Sequence, residues 1–179
     1  MENKHPVIMK IEDLIDDGSG YGSHLPILNL IFKAYPIKNV VEFGMGNFST
    51  KYFMLKQCEL MSVEMQDENW FVNLCKELLF DAKDHWNPIC ELGAAAWKNI
   101  QYPQSIDLCF VDGHVDSRAD CVNFMFNKAL IIVAHDFECN VYHWENIIVP
   151  NNYRLIVYHN SAVQTAVYIH ENLINLIVL

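Results

Sequence analysis

The chain has 179 residues, 52% of them hydrophobic and 19% charged, which sets aside a disordered chain and fits a globular one that buries a single core. Its formal net charge is −10 at pH 7, and its 12 Lys and Arg are scattered singly, which argues against a nucleic-acid backbone or an anionic membrane surface as a partner. No run reaches the ~18 apolar residues that span a bilayer. The six cysteines, Cys58, Cys75, Cys90, Cys109, Cys121 and Cys139, include no CxxC pair, so they read as free thiols in a reducing, cytoplasmic compartment.

In chain order, the opening "MENKHPVIMKIEDLIDDGSG" lacks an apolar core behind a basic stretch and is not a secretory signal. Residues 1–22 read as an extension ahead of a single domain over 23–179. "HLPILNLIFKAYP" (24–36) predicts a helix stopped by Pro36. "NVVEFG" (39–44), rich in β-branched residues and closed by glycine, predicts the first strand. "STKYFMLKQ" (49–57) predicts a helix with Ser49 and Thr50 as N-cap candidates. "ELMSVEM" (59–65) is the second strand, and "DENWFVNLCKELLF" (67–80) a helix capped by Asp67 with Trp70, Leu74 and Leu78 on one face. "WNPICEL" (86–92) is a weaker third strand, and "GAAAWKNI" (93–100) a short helix or loop. "SIDLCFVDG" (105–113) is the clearest strand, and "SRADCVNFMFNK" (117–128) a helix with Cys121, Phe124 and Met125 inward. "ALIIVAHD" (129–136) is the continuous apolar run of a strand buried on both faces. "VYHWENI" (141–147) is a short helix, and "YRLIVYH" (153–159) and "QTAVYIH" (164–170) are strands joined through "NSAV" as a hairpin. The closing "LINLIVL" reads as a buried final strand.

Strands alternating with helices give an α/β fold, a Rossmann-like, doubly wound, mostly parallel sheet with an antiparallel strand near its C-terminal edge. Ligands of such sheets bind outside the carboxyl ends of the strands. Those ends carry the loop "GMGN", Glu64, Asp112 and Asp136. The loop Gly44-Met45-Gly46-Asn47-Phe48-Ser49 keeps two of the three glycines of GxGxxG. Glu42 stands just ahead of it, and a phosphate ~4 Å from that carboxylate would be repelled by several kcal/mol in a partly buried site. The loop therefore suits a guest with a positive head and no phosphate. S-adenosylmethionine, with its α-ammonium and sulfonium, is such a guest. Glu42 is expected at the ammonium, Gly44 and Gly46 where backbone approaches the ligand, and Glu64 at the ribose hydroxyls. Asn47, Ser49, Met65 and Asp112 complete the expected cofactor contacts.

The stretches "VVEFGMGNFST", "LMSVEM", "IDLCFVDGHVDSRADCV" and "ALIIVAHDFE" together resemble class I S-adenosylmethionine-dependent methyltransferases. The chain is most similar to the small domains grouped with the macrocin O-methyltransferases, over roughly residues 23–170. In that group the glycine motif is often followed by Ser-Thr, as Ser49-Thr50 here. Strand four ends in Asp-Gly with an arginine or aspartate in the next helix, as Asp112, Gly113 and Arg118, and strand five ends in His-Asp, as His135-Asp136. "GSHLPIL" resembles the helix that closes over the methionine end. The resemblance implies S-adenosylmethionine as cofactor and methyl transfer to a hydroxyl of a small-molecule or sugar-like acceptor. The chain departs from the pattern before strand five, where "NKALIIV" lacks the usual glycine. It departs again in "GAAAWKNI", which lacks the Asp that meets the adenine amine, and it has almost no insertion to form a lid.

Asp112, His114 and Asp136 are the catalytic candidates. Asp112 would lie near the sulfonium, and His114 could act as general base with its ordinary pKa near 6.5. The three could also hold a divalent metal such as Mg²⁺, as metal-dependent O-methyltransferases do at the ends of strands four and five. Only two carboxylates are identifiable, so no metal ligand is assigned. Arg118 either clamps an anionic substrate or pairs with Asp112 or Asp116. His135 is either a core histidine or a site residue. Trp97 and Trp70 are candidates for stacking on adenine, with core packing favoured for Trp70. No GxSxG, P-loop or HExxH occurs. Two other readings stand beside methyl transfer: an enzyme of this fold that cleaves the cofactor, and a non-catalytic binding domain.

Overall fold

The computed structural model describes residues 20–78, 84–160 and 163–174; of the expected extension, only residues 20–22 fall among them. Five apolar strands pair in parallel: β1 (Asn39–Phe43), β2 (Glu59–Glu64), β3 (Trp86–Cys90), β4 (Ile106–Val111) and β5 (Ala129–Ala134). β6 (Tyr153–Asn160) and β7 (Val163–His170) form an antiparallel hairpin. The seven-stranded sheet has the order β3-β2-β1-β4-β5-β7-β6. β7 runs antiparallel to β5 as well as to β6, so the reversed strand lies one place in from the edge and β6 is outermost. The order turns back between β1 and β4, which is where doubly wound sheets open a crevice.

The two-residue alternation of strands explains why β4 and β5 are apolar without interruption. Leu108, Phe110, Ile131 and Val133 enter one core layer, while Cys109, Val111, Ile132 and Ala134 enter the layer on the other face. The first layer is roofed by α1 (Leu25–Ala34) and α2 (Ser49–Leu55). The second lies under α4 (Arg118–Met125) and the 3-10 turns Ala96–Asn99 and Trp144–Asn146. α3 (Glu68–Leu78) packs Leu74, Cys75 and Leu78 around Met45 of the glycine loop. α5 (Glu171–Ile174) follows β7.

Local chemistry sets the ends of these elements. α1 has proline in its first turn, where no N–H is needed, and buries Leu25, Leu28 and Ile31. It stops at Tyr35, whose φ of −131° and ψ of 146° are the extended values that a following proline imposes. Asp67 Oδ1 accepts from the backbone N–H groups of Asn69 (2.8 Å) and Trp70 (3.1 Å) and so caps α3 as expected. Pro88 is tolerated because β3 is an edge strand. Asn127 takes the place of the usual glycine before β5, with φ +67°, a conformation asparagine reaches more readily than most residues.

Three expectations are corrected. Ser49 and Thr50 do not cap α2; Phe48 holds that position without a side-chain bond, and the two hydroxyl residues are buried inside the first turn. Residues 141–147 form no single helix but two 3-10 turns, Asn140–Tyr142 and Trp144–Asn146. Leu173 and Ile174, which begin the expected final strand, belong to α5, and residues 175–179 lie outside the described residues. No helix among the described residues is long and apolar enough to cross a membrane.

Register then builds the rim. Phe43 stands opposite Val63 and Val111, and Val111 opposite Ala134. One residue further on, Glu64, Gly44, Asp112 and His135 end their strands side by side.

Candidate active site

A cavity of ≈ 310 Å³ opens at this rim, lined by Tyr21, His24, Met45, Gly46, Asn47, Phe48, Ser49, Trp70 and Asp112. Its floor is the glycine loop. Gly44 has φ +84°, and a Cβ there would fall 2.3 Å from the Asp112 carbonyl oxygen. Both the backbone conformation and the close approach of the β1 and β4 ends therefore require glycine. Gly46 is different: its φ is ordinary, and an added Cβ would meet Ser49 Oγ at 2.9 Å.

The first three N–H groups of the loop are engaged within the protein. Gly44 N–H donates to Val63 O (2.8 Å), Met45 N–H to Glu64 Oε2 (3.2 Å) and Gly46 N–H to Thr50 Oγ1 (3.0 Å). Thr50 Oγ1 passes the bond on to Glu42 Oε2 at 2.9 Å, and Ser62 Oγ donates to the same oxygen at 2.6 Å. Glu42 Oε1 has no hydrogen-bond partner. Burial pushes the Glu42 carboxyl up to about 7, although the hydroxyls of Ser49, Ser62 and Thr50 pull the other way. Glu64 accepts at Oε1 from the N–H groups of Met65 (3.0 Å), Gln66 (2.8 Å) and Asp67 (3.2 Å). One acceptor position on Oε2 remains, since a carboxylate oxygen offers two. Trp70 Nε1 donates to Met45 O at 2.7 Å and pins the loop from above.

Asp112, which lines the cavity, belongs to a partly buried ion network. Arg118, 7% exposed, sets Nη1 2.8 Å from Asp112 Oδ1 and 3.1 Å from Asp136 Oδ2. His135 Nδ1 lies 3.4 Å from Asp112 Oδ2 and 3.5 Å from Asp136 Oδ1, close enough for charge attraction but without a hydrogen bond at that nitrogen. Its Nε2 bonds Ser23 Oγ at 2.8 Å. Burial alone would raise the Asp112 pKa, but the facing His135 and Arg118 outweigh it and hold the carboxyl below its ordinary value. Burial would likewise lower that of His135, yet Asp112 and Asp136 outweigh it, and the net shift is upward. His24 touches His135 edge-on, with ring centroids 4.7 Å apart. Burial first, and then the charge of His135, drive its pKa down to about 3; it is neutral at ordinary pH.

The residues singled out from sequence divide by position. Gly46, Asn47, Ser49 and Asp112 line the cavity, and Gly44 forms its floor turn. Glu42, Glu64 and Met65 sit beneath, at 0%, 3% and 1% exposure. The Met65 side chain belongs to the core layer that holds Phe43 and Val111. His114 Nδ1 accepts from the Asp116 N–H at 3.2 Å and caps the 3-10 turn Val115–Ser117, outside the residues that line the cavity. The histidine beside Asp112 and Asp136 is His135. Arg118 pairs with Asp112 and Asp136, not with Asp116. The tryptophans exchange roles: Trp97, 7% exposed, is in the core, while Trp70, 37% exposed, borders the cavity. Tyr21, His24, Met45 and Phe48 were not among the expected contacts. The signal for His24 was its place in "GSHLPIL", immediately upstream of α1.

Comparison of the sequence with protein-family models gives no match, and comparison with curated proteins gives none either. The structure does have neighbours. A candidate O-methyltransferase from Klebsiella pneumoniae superposes with a TM-score of 0.67 at 12% identity, over 87% of this chain and 81% of that one. The O-methyltransferase from Bacillus cereus, solved with S-adenosylhomocysteine, gives 0.62 at 11% identity, over 92% and 93%. The N-methyltransferase NodS from Bradyrhizobium japonicum, also solved with S-adenosylhomocysteine, gives 0.58 at 12% identity, over 86% and 89%. The fold is the Rossmann-like one these methyltransferases share.

Proposed function

We propose that the chain is an S-adenosylmethionine-dependent methyltransferase that methylates a hydroxyl of a small-molecule or sugar-like acceptor. The observation that carries this reading is the glycine loop itself. A dinucleotide fold binds pyrophosphate with free N–H groups at a loop and helix start. Here the N–H groups of Gly44, Met45 and Gly46 are bonded within the protein, two of them to Glu64 and to the Thr50–Glu42 relay. That surrounding ends in carboxyl oxygens and not in free donors, which suits a cation better than a phosphate. The sulfonium nucleoside meets it with positive charge and needs no phosphate cradle.

In this reading Trp70 and Met45 flank the nucleoside, and Glu64 offers its remaining acceptor position to a ribose hydroxyl. Glu42 acts from beneath the loop through Thr50, and its field favours the ammonium without direct contact. Bound cofactor supplies the electrophilic methyl. The chain's own part is alignment, which can be worth ~7–11 kcal/mol in a displacement of this kind. Asp112, held ionised by Arg118 and His135, would accept the hydrogen bond of the acceptor hydroxyl and fix its line of approach.

Calorimetry with S-adenosylmethionine, S-adenosylhomocysteine and NAD tests the reading. Binding of the first two and not of NAD is expected; the reverse order overturns it. Analysis of the products then separates transfer from cleavage, since S-adenosylhomocysteine reports transfer and methylthioadenosine reports cleavage. Glu42→Ala should weaken both sulfur nucleosides and leave the fold intact, and unchanged affinity would remove Glu42 from the account.

A further inference from the structure

We infer that the guanidinium of Arg118 stands where a divalent cation would otherwise sit between Asp112, His135 and Asp136, so that this cluster is a closed ion network that takes no metal. The spacing alone invites an ion: one ligand atom from each of the three residues lies within 4.8 Å of the others. A hard cation such as Mg²⁺, however, demands oxygen ligands at ~2.0–2.1 Å in near-octahedral array. Arg118 already holds one oxygen of each carboxylate, and its charge sits between the two acids. Arg118 Nη1 lies against Asp112 Oδ1 (2.8 Å) and Asp136 Oδ2 (3.1 Å), while His135 Nδ1 faces Asp112 Oδ2 (3.4 Å) and Asp136 Oδ1 (3.5 Å).

The Arg118 guanidinium is not free to step aside. Arg118 Nε donates to Gly113 O at 3.0 Å, Nη1 also reaches His135 O at 3.4 Å, and the Tyr142 ring covers the guanidinium with its centroid 3.8 Å from Cζ. The His135 ring is tethered at its other end by Ser23 Oγ at 2.8 Å. Arginine keeps its proton in proteins, so the positive charge is permanent, and an added dication would have to share the site with it. The ion content of the cluster is independent of whether the cavity takes a sulfonium nucleoside.

The test is a Mn²⁺ titration of the full chain, with free ion followed by electron paramagnetic resonance. The wild type is expected to take up no stoichiometric Mn²⁺ in the micromolar to millimolar range, in the presence or absence of S-adenosylhomocysteine. Arg118→Met, which keeps the volume and removes the charge, should bind Mn²⁺ at least roughly tenfold more tightly, and Arg118→Met with Asp136→Asn should lose that gain. Stoichiometric Mn²⁺ on the wild type, abolished by Asp136→Asn, overturns the inference. So does a folded Arg118→Met that binds no better than wild type. The wild-type titration decides the matter by itself if Arg118→Met does not fold.

Discussion

At Glu42 a carboxylate is fully buried with two hydroxyl donors on one oxygen and none on the other. Burial raises its pKa from 4.5 to about 7, so the folded chain holds this proton more tightly than the unfolded chain does. The sign follows. Stability contributed by the group falls as pH rises from about 4.5 to about 7, by about 3 kcal/mol in all, and is level above that. Glu42→Gln should remove the slope: equal melting temperatures below the window, and a variant several degrees more stable at about pH 8. Thermal scans across pH check this, and a variant with the wild-type slope contradicts it. Gly44→Ala is the second residue-scale prediction. Its Cβ would press on the Asp112 backbone at 2.3 Å with φ at +84°, so a loss of about 2–4 kcal/mol in chemical denaturation is expected. The glycine requirement was legible from sequence, as was the presence of an acid beside it. The depth of that acid was not, because burial depends on α2 and on Ser62 of the neighbouring strand.

Elements bring distant residues to the cavity, and two of them can be tested directly. α3 lies over the glycine loop, and Trp70 joins the two through Nε1 to Met45 O at 2.7 Å. Trp70→Phe should weaken S-adenosylhomocysteine binding about five- to tenfold, the value of one lost hydrogen bond, with little change in melting temperature; calorimetry beside a thermal scan separates the two. The turn from α4 into β5 is fixed by Tyr153, whose hydroxyl donates to Ala129 O (2.6 Å) and accepts from the Asn127 N–H (3.0 Å). Tyr153→Phe leaves both backbone groups without that partner and should cost about 1–3 kcal/mol in denaturant unfolding. The helical period of 67–80 showed that Trp70, Leu74 and Leu78 share a face. It could not show that the first turn of this helix overhangs the rim while its later turns reach the core. The segment before α1 is placed by similar long-range bonds: Ser23 Oγ to His135 Nε2, and Asn160 Nδ2 to Ser23 O at 3.1 Å. That is why His24 reaches a cavity built mainly from the glycine loop and the start of α2.

On the scale of the molecule, the sheet reverses its order between β1 and β4 and opens a cavity there. A ligand that binds only the folded chain raises its apparent stability by RT ln(1 + [L]/Kd). Saturating S-adenosylhomocysteine should therefore raise the melting temperature by several degrees, and NAD at the same concentration should leave it unchanged. Element order, the parallel sheet with a terminal hairpin, and the row of polar residues at its carboxyl ends were legible in the residues alone. Those follow from apolar periodicity, from glycine and proline breaks, and from the geometry common to doubly wound sheets, all of them local or general. Which of those polar residues face the cavity and which support it from below is set by packing across the sheet. It alone set His135 beside Asp112 and Asp136 and gave Arg118 both carboxylates as partners. Those outcomes depend on the register of β1, β4 and β5 and on side chains that meet across separations which no sequence period encodes.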